Sequence, residues 1–322
     1  MILLIPYFRE IKDKKTGFVY SLDNVVMKYK LYWAQDDGAV DEVFKELSKC
    51  CHVCDSFTRF GFAQYKHQFI FHMPDENTFW VGVGFNGSGG VDYSNCSCDF
   101  NPNKVGQFDS FADIHNKLLE MAKEVELKRY DLAVDIPISR ENFIGFKDKR
   151  IHEEYRKRLA SKADSTEYWG KRSSSGFVKL YNKQIECGLD NPMTRLELTL
   201  SMDDTAVSKL PNIMYIDDNQ MQIGENAPTG TDLVLALSCC EHPEFLNYLA
   251  QKQRAKTKSV LKQFATSLEL NTDLCNKIRF QADCYTRKAT TDKKHIYVLD
   301  DHRNYVNLLK RELNLPLDEM EL

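Results

Sequence analysis

The run GKRSSSGFVKLYNKQIE, residues 170–186, sets Tyr181 among lysines in a stretch that alternates polar and apolar residues as a strand does. Side chains alternate sides along a strand, so Lys179, Tyr181 and Lys183 share one face and Val178 and Leu180 the other. A buried strand would carry Val or Ile at the tyrosine's place, and a solvated strand has no need of a ring there. Two more runs show the same division. In RYDLAVDI, residues 129–136, Arg129, Asp131, Ala133 and Asp135 oppose Tyr130, Leu132, Val134 and Ile136. In TRLELTL, residues 194–200, Arg195, Glu197 and Thr199 oppose Leu196, Leu198 and Leu200. Strand by strand, this is a half-buried antiparallel sheet with its polar face in water. If the strands pair, however, Asp131, Asp135 and Glu197 gather beside Tyr181.

Clustered carboxylates repel one another unless a cation sits among them, and carboxylate oxygens suit Mg2+ or Mn2+. Positions four apart on a flat strand lie about 13 Å apart. Asp131 and Asp135 therefore cannot both hold one ion unless the strand bends, and which of them is the direct ligand stays open. A phenol can act as a covalent nucleophile. A metal polarises a phosphoryl oxygen. Lys179 and Lys183 offset phosphate charge, and either is placed to lower the phenol pKa. Together these groups are what an enzyme needs to cut a nucleic-acid strand, stay attached to the end and rejoin it. Other tyrosines compete for the role. Tyr168 lies in TEYWGKR, where a strand runs into a turn; Tyr130 falls on an apolar face; Tyr155 falls in a charged stretch, residues 147–163, that reads as helix.

The elements that must position these residues read as α+β, an antiparallel sheet core with flanking helices and a more helical C-terminal part. Strands are expected at the N-terminus, at residues 27–33 and 67–73, and from 78 into the glycine turn at 86–90, with the segment from 97 as its partner. Helices are expected over 37–51 and 111–125, the second capped by Asp109 or Ser110. Residues 201–230 read as loop, residues 231–270 as helical, and the last stretch as a short strand (295–299) and a helix (303–313). No repeat or low-complexity tract interrupts the chain.

The 322 residues suffice for one large domain or two modest ones, and 43% hydrophobic with 28% charged is ordinary for a globular protein. No apolar run is long enough to span a membrane, and the start, MILLIPYFREIKDKK, lacks the basic region and cleavage site of a signal peptide. No membrane partner and a cytoplasmic location are the expectation. A net charge of −4 argues against coating nucleic acid by bulk attraction, though not against a local basic groove. The ten cysteines are irregularly spaced and read as reduced thiols. CCHVC at residues 50–54 has a zinc-like look but lacks a second ligand pair at a suitable spacing.

DFNPNK (99–104), RYDLAVDI, TEYWGKRSSSGFVKLYNKQIE (166–186) and TRLELTL together resemble the rolling-circle plasmid replication initiators typified by the staphylococcal plasmid Rep proteins. Relaxases of integrative elements share the pattern. The likeness covers residues 97–200 and continues weakly to about 270, with FVKLYNK its most specific part. It implies a protein that nicks one strand of plasmid or mobile-element origin DNA through a tyrosine, forms a 5′-phosphotyrosyl intermediate and later rejoins it. The tyrosine of the Y-N-K strand matches Tyr181, and the family's acids match Asp131, Asp135 and Glu197. The resemblance further implies a homodimer and a host superfamily 1 helicase as partner. One departure stands out: the family's glutamate before F-N-P-N-K is Asp99 here.

Residues 1–215 then form the nicking and closing domain, with its core motifs in 97–200, and residues 216–322 a mainly helical origin-binding and accessory region. Within the latter, residues 251–268 carry Lys252, Arg254, Lys256, Lys258 and Lys262 without an acid. Arg254, Lys258 and Lys262 form a stripe at four-residue spacing, with Val260, Leu261, Phe264 and Leu268 on another side. Such a helix is either a solvated surface element or one that lays its basic stripe on duplex phosphates. Lys171 and Arg172 are placed to clamp a single strand near Tyr181, and Arg129, Lys179, Lys183 and Arg195 to meet DNA on the sheet face. The alternatives are a conjugative relaxase, a non-catalytic DNA-binding regulator on the same scaffold, and a metal-dependent nuclease that uses water.

Overall fold

The computed structural model describes residues 10–32, 36–50, 54–58, 64–155, 164–172, 174–216, 230–263 and 265–286. In chain order the strands and helices are β1 (Ile11–Lys12), β2 (Val19–Leu31), α1 (Asp37–Ser48), β3 (Cys54–Thr58), β4 (Tyr65–His72), β5 (Thr78–Gly87), β6 (Gly90–Phe100), α2 (Pro102–Val105), α3 (Asp109–Met121) and β7 (Ala122–Ile136). They continue with β8 (Phe143–Gly145), β9 (His152–Tyr155), β10 (Thr166–Trp169), β11 (Val178–Asn182), α4 (Lys183–Cys187), β12 (Thr194–Leu200), α5 (Ala206–Lys209) and β13 (Ile213–Tyr215). Then follow α6 (Thr231–Glu241), α7 (Gln251–Leu261), β14 (Thr266–Ser267) and α8 (Thr272–Cys284).

The α+β expectation holds. An 11-stranded sheet runs β3-β4-β5-β6-β2-β7-β12-β11-β10-β9, with β1 also paired to β2, and its strands pair antiparallel throughout the described residues. Its spine is β2 against β7, strands of 13 and 15 residues. Tyr130, Leu132, Val134 and Ile136 of β7 are buried. They share one core with Ile114 and Leu118 of α3 and Leu274 and Ile278 of α8, so the helices cover one face and leave the other to the polar residues. A second core joins Ile144 and Phe146, Met214 and Ile216 to Ala236, Cys239, Leu246, Val260 and Leu261. It packs α6 and α7 against the small sheet β14-β13-β8.

Several elements differ from the sequence reading. The charged stretch expected to be helical over 147–163 contains strand β9, which pairs with β10 through Tyr155↔Thr166 and Glu153↔Tyr168; residues 156–163 lie outside the described part. A strand's twofold alternation and a helix's charged face look alike when nearly every residue is polar, and sheet pairing decided the matter. Helix α3 stops at Met121 rather than Val125, because Ala122 already has extended backbone and begins β7; its N-cap is Phe108, with no side-chain cap bond. Strand β11 ends at Asn182, whose side chain accepts the Ile185 N–H and caps α4. Lys183 is therefore the first residue of a helix and does not share the strand face of Lys179 and Tyr181. Helix α7 ends at Leu261. The strand and helix expected after residue 290, Phe264, and the N-terminal strand before residue 10 lie outside the described residues.

Cys96 and Cys98 are buried on β6, and burial pushes both thiols above their ordinary range. They behave as protonated core residues, as a reduced-thiol reading requires.

Candidate active site

Strand register decides what meets what. β11 pairs with β12 through Tyr181↔Arg195 and Lys179↔Glu197. β12 pairs with β7 through Arg195↔Asp135, Glu197↔Ala133 and Thr199↔Asp131. Directly opposed residues share a face, so the polar halves of these strands form one continuous surface.

At its centre the Tyr181 hydroxyl donates to Glu197 Oε1 at 2.7 Å. Lys179 Nζ lies 3.4 Å from Glu197 Oε2 and 3.9 Å from the centroid of the Tyr181 ring. Tyr181 is only 7% exposed. Burial, followed by the charge of Glu197, pushes its phenol well above the ordinary range. The sequence points to a phenol pKa lowered by Lys179 or Lys183. The structure reverses this: Lys179 is shared with Glu197, and Lys183 turns to Glu186, 2.6 Å away. Burial and then Asp23 push Glu197 itself above the usual carboxylate range, against the pull of Lys179. The result is a phenol bonded to a carboxylate that is a stronger base than it would be in water.

Asp135 is committed elsewhere. Arg195 Nε and Nη2 each donate to one of its carboxylate oxygens at 2.6 Å, and Arg195 Nη1 reaches Asp23 Oδ1 at 3.2 Å. Asp131 is different. Burial raises its pKa to about 6, with Asp23 and Glu197 adding repulsion against the pull of Thr199 and Arg129. Its Oδ1 is buried without a hydrogen-bond partner. Arg129 pairs with Asp99 at 3.7 Å, and Asp99 also accepts from Asn24 at 2.9 Å.

Asp23 and Asn24 were missed by sequence reasoning. They sit where β2 slips register against β7 between Leu22 and Asn24, and the extra residue at this β-bulge puts Asp23 beside Arg195. The signal was legible: an Asp-Asn pair, typical of turns, in the middle of an apolar strand.

An orphaned, desolvated carboxylate oxygen with two like charges around it fits a hard cation in donor chemistry. Asp131 meets that description; Glu197 is also desolvated but already accepts from Tyr181 and Lys179, and Asp135 is neutralised by Arg195. Among the described residues, no three His, Cys, Asp or Glu side chains converge tightly enough to coordinate an ion as they stand.

The other basic candidates lie apart from this centre. Lys171 and Arg172 are exposed in the β10–β11 loop, whose ends turn on Gly170 and Gly176 with φ of 89° and 82°. On α7, Arg254 is not a free cation, because its Nη2 donates to the carbonyls of Asn247 and Leu249 at 3.1 and 3.0 Å. Lys256 pairs with Asp232 at 2.6 Å. Lys258 and Lys262 remain exposed. If this helix docks on duplex, replacing Lys258 and Lys262 by Ala lowers the slope of log K against log salt by about 0.9 for each phosphate no longer neutralised. Replacing Lys256 alone changes it least, because Asp232 already competes for that charge. An unchanged slope in a fluorescence anisotropy titration of the double variant would remove α7 from the interface.

No protein-family model matches the chain, and no curated protein matches it in sequence. Among solved structures, it is similar to a rolling circle replication initiator protein from Geobacillus stearothermophilus, at 16% identity over 95% of this chain and 100% of that one, with a TM-score of 0.35. A likeness this loose carries no argument about activity; what bears on the chemistry is the sheet face itself.

Proposed function

We propose that this protein is a DNA nicking and closing enzyme that starts rolling-circle replication, with Tyr181 as nucleophile. The observation that carries the reading is the 2.7 Å hydrogen bond from the Tyr181 hydroxyl to a carboxylate made basic by burial, with Lys179 against the ring. A buried hydroxyl needs a partner, and here that partner is a carboxylate able to take its proton. In the first step Glu197 takes the phenol proton as Tyr181 Oη bonds to the scissile phosphorus, the bond from phosphorus to the 3′ oxygen breaks, and the leaving 3′ oxygen takes a proton from water to become a hydroxyl. Lys179 offsets the charge that develops on the phenolate side. In the closing step a 3′ hydroxyl attacks the phosphotyrosine and loses its proton to water, the bond from phosphorus to Tyr181 Oη breaks, and Glu197 returns its proton to the departing phenolate. A bound Mg2+ or Mn2+ would supply positive charge to the scissile phosphate, with Asp131 and Glu197 as the residues to hold it. Arg195 and Asp135 fix β12 against β7, so that Glu197 stays in register with Tyr181. The motif resemblance adds plasmid or mobile-element origin DNA as substrate, a homodimer as working form and a superfamily 1 helicase as partner.

The test is incubation with single-stranded origin DNA and Mg2+, followed by denaturing electrophoresis. A covalent protein–DNA band is expected, and it should vanish in EDTA and in Asp131→Asn. Since Asp131 keeps a proton up to about pH 6, metal-dependent nicking should rise as pH increases through that value. Cleavage that releases free ends with no covalent band would instead identify a water-using nuclease. Full cleavage in EDTA would remove the metal from the scheme.

A further inference from the structure

The far edge of the same sheet face holds a cleft of about 680 Å³, lined in part by Glu153, Tyr155, Tyr168, Arg172 and Phe177. Register puts it in line with the candidate nucleophile. Glu153 of β9 lies directly opposite Tyr168 of β10, and Tyr168 lies opposite Lys179 of β11. Opposed residues share a face, so Glu153, Tyr168 and Lys179 form one row across the sheet that continues to Glu197. Phe177 and Tyr181 flank Lys179 at two-residue spacing and point to the same side. The rings of Tyr168 and Phe177 are nearly parallel, 16° apart in plane with centroids at 5.9 Å. Tyr155 adds a third ring at the edge, 61% exposed.

Rings that pack a core are covered, whereas these line an open cleft. Two near-parallel rings at a cleft wall form a π surface on which a base can lie, and such stacking tolerates any sequence because every base has a π face. Arg172, exposed at the same cleft, is positioned for the flanking phosphate. Glu153 brings a carboxylate to the ring edge, where it can accept from the exocyclic amine of cytosine or adenine but finds no donor at that place on thymine.

We propose that this cleft is a nucleobase subsite of the cleaved strand: a base flanking the scissile phosphate stacks on Tyr168 and Phe177, with Glu153 favouring an amino-bearing base. Tyr181 lies one strand over from Tyr168 and two residues along from its partner Lys179, so the two tyrosines are separated by about 8 Å on the sheet. A stretched single strand covers that distance in one or two nucleotides, given a rise of about 3.4 Å per nucleotide even when stacked. The tyrosine that rivals Tyr181 as nucleophile is thus assigned to holding the strand rather than cutting it. This subsite rests on the single-strand cleavage reading of the same face.

The test uses fluorescein-labelled single strands of equal length, oligo-dC, oligo-dT and an abasic sugar–phosphate chain, with anisotropy as readout. Tyr168→Ala should weaken oligo-dC binding about tenfold, toward the lower end of what one base–ring stack contributes, and leave abasic binding unchanged. Tyr168→Phe, which keeps the ring, should bind within about twofold of wild type and still form the adduct. Glu153→Ala should abolish a preference for dC over dT. Equal losses on dC and abasic chains, no loss in Tyr168→Ala, or no wild-type binding to oligo-dC would each overturn the subsite. Loss of the adduct in Tyr168→Phe would also overturn it, by making Tyr168 the nucleophile. Failure of the enzyme reading looks different: wild type binds oligo-dC through Tyr168 yet gives no covalent band on any DNA.

Discussion

Tyr181→Phe is expected to eliminate the covalent protein–DNA band and to reduce nicking about 10⁴-fold or more, the scale on which loss of a covalent nucleophile is felt. The substitution removes one oxygen and leaves the ring under Lys179. Single-strand binding should therefore be close to wild type, because neither the Tyr168–Phe177 rings nor the basic loop is touched. The hydroxyl also donates to Glu197. Removing a hydrogen bond to a charged acceptor costs about 1.5–3 kcal/mol when the acceptor is left unsatisfied. Here Lys179 remains 3.4 Å from the other Glu197 oxygen, so the lower end applies. In a protein of this size that is a fall in Tm of about 2 °C. The variant thus separates chemistry from folding: a small thermal shift with total loss of adduct supports the nucleophile. An adduct that persists in Tyr181→Phe moves the assignment to Tyr168. Loss of DNA binding in step with the adduct would mean that the hydroxyl holds substrate.

The polar face was legible in the sequence because its determinants are local. Twofold alternation in residues 129–136, 178–182 and 194–200 fixed which side chains share a side, and the register then brought Glu197 to Tyr181. The pairing of charges within that face was not legible. Whether Asp135 holds an ion or a guanidinium depends on Arg195 lying directly opposite, a matter of register and not of type or spacing. Asp23 entered through a bulge, and its sequence neighbours gave only a turn-like signal inside a strand. Lys183 shows the limit of extending an alternation: one residue past the end of β11, Asn182 caps a helix and the periodicity changes from 2 to 3.6. The strand β9, all polar but for its flanking Ile151, could be found only through its partner β10.

Glu167→Ala should be the most destabilising single change near the site, costing about 3–5 kcal/mol and lowering Tm by about 4–7 °C. Glu167 is on β10 with its side chain 5% exposed, and Arg140 Nη2, fully buried, donates to its Oε1 at 2.5 Å. His152 of β9 meets the other oxygen at 3.1 Å and stacks on Trp169 with ring centroids at 4.7 Å. Arg140 has no partner at Nε or Nη1, so without Glu167 it is a buried cation with nothing to offset its desolvation. The space is also closed, since a Cβ on Gly145 would collide with Glu167 Oε2 and the Trp169 ring. The pH dependence follows from the sign of the shift. Burial works to raise the Glu167 pKa, but His152 and Arg140 outweigh it and the folded value falls below the unfolded one. Its contribution is therefore present above the unfolded pKa, about 4.3, and lost as pH falls through the lower folded value. His115, buried with a pKa lowered to about 4, weakens the protein over the range just above. Between about pH 6.5 and 4 the unfolded chain binds a proton that the native core refuses. That loss is common to wild type and variant and cancels in their difference. The gap in stability between wild type and Glu167→Gln, measured by urea unfolding, should thus narrow as pH falls below about 4. Because the pair anchors the strands that carry Tyr168 and Glu153, oligo-dC affinity should fall in Glu167→Ala near its melting range while Tyr181 stays chemically intact. A Glu167→Ala variant that melts with wild type would show that the buried pair is replaceable and that β9 and β10 are held by their ladder alone.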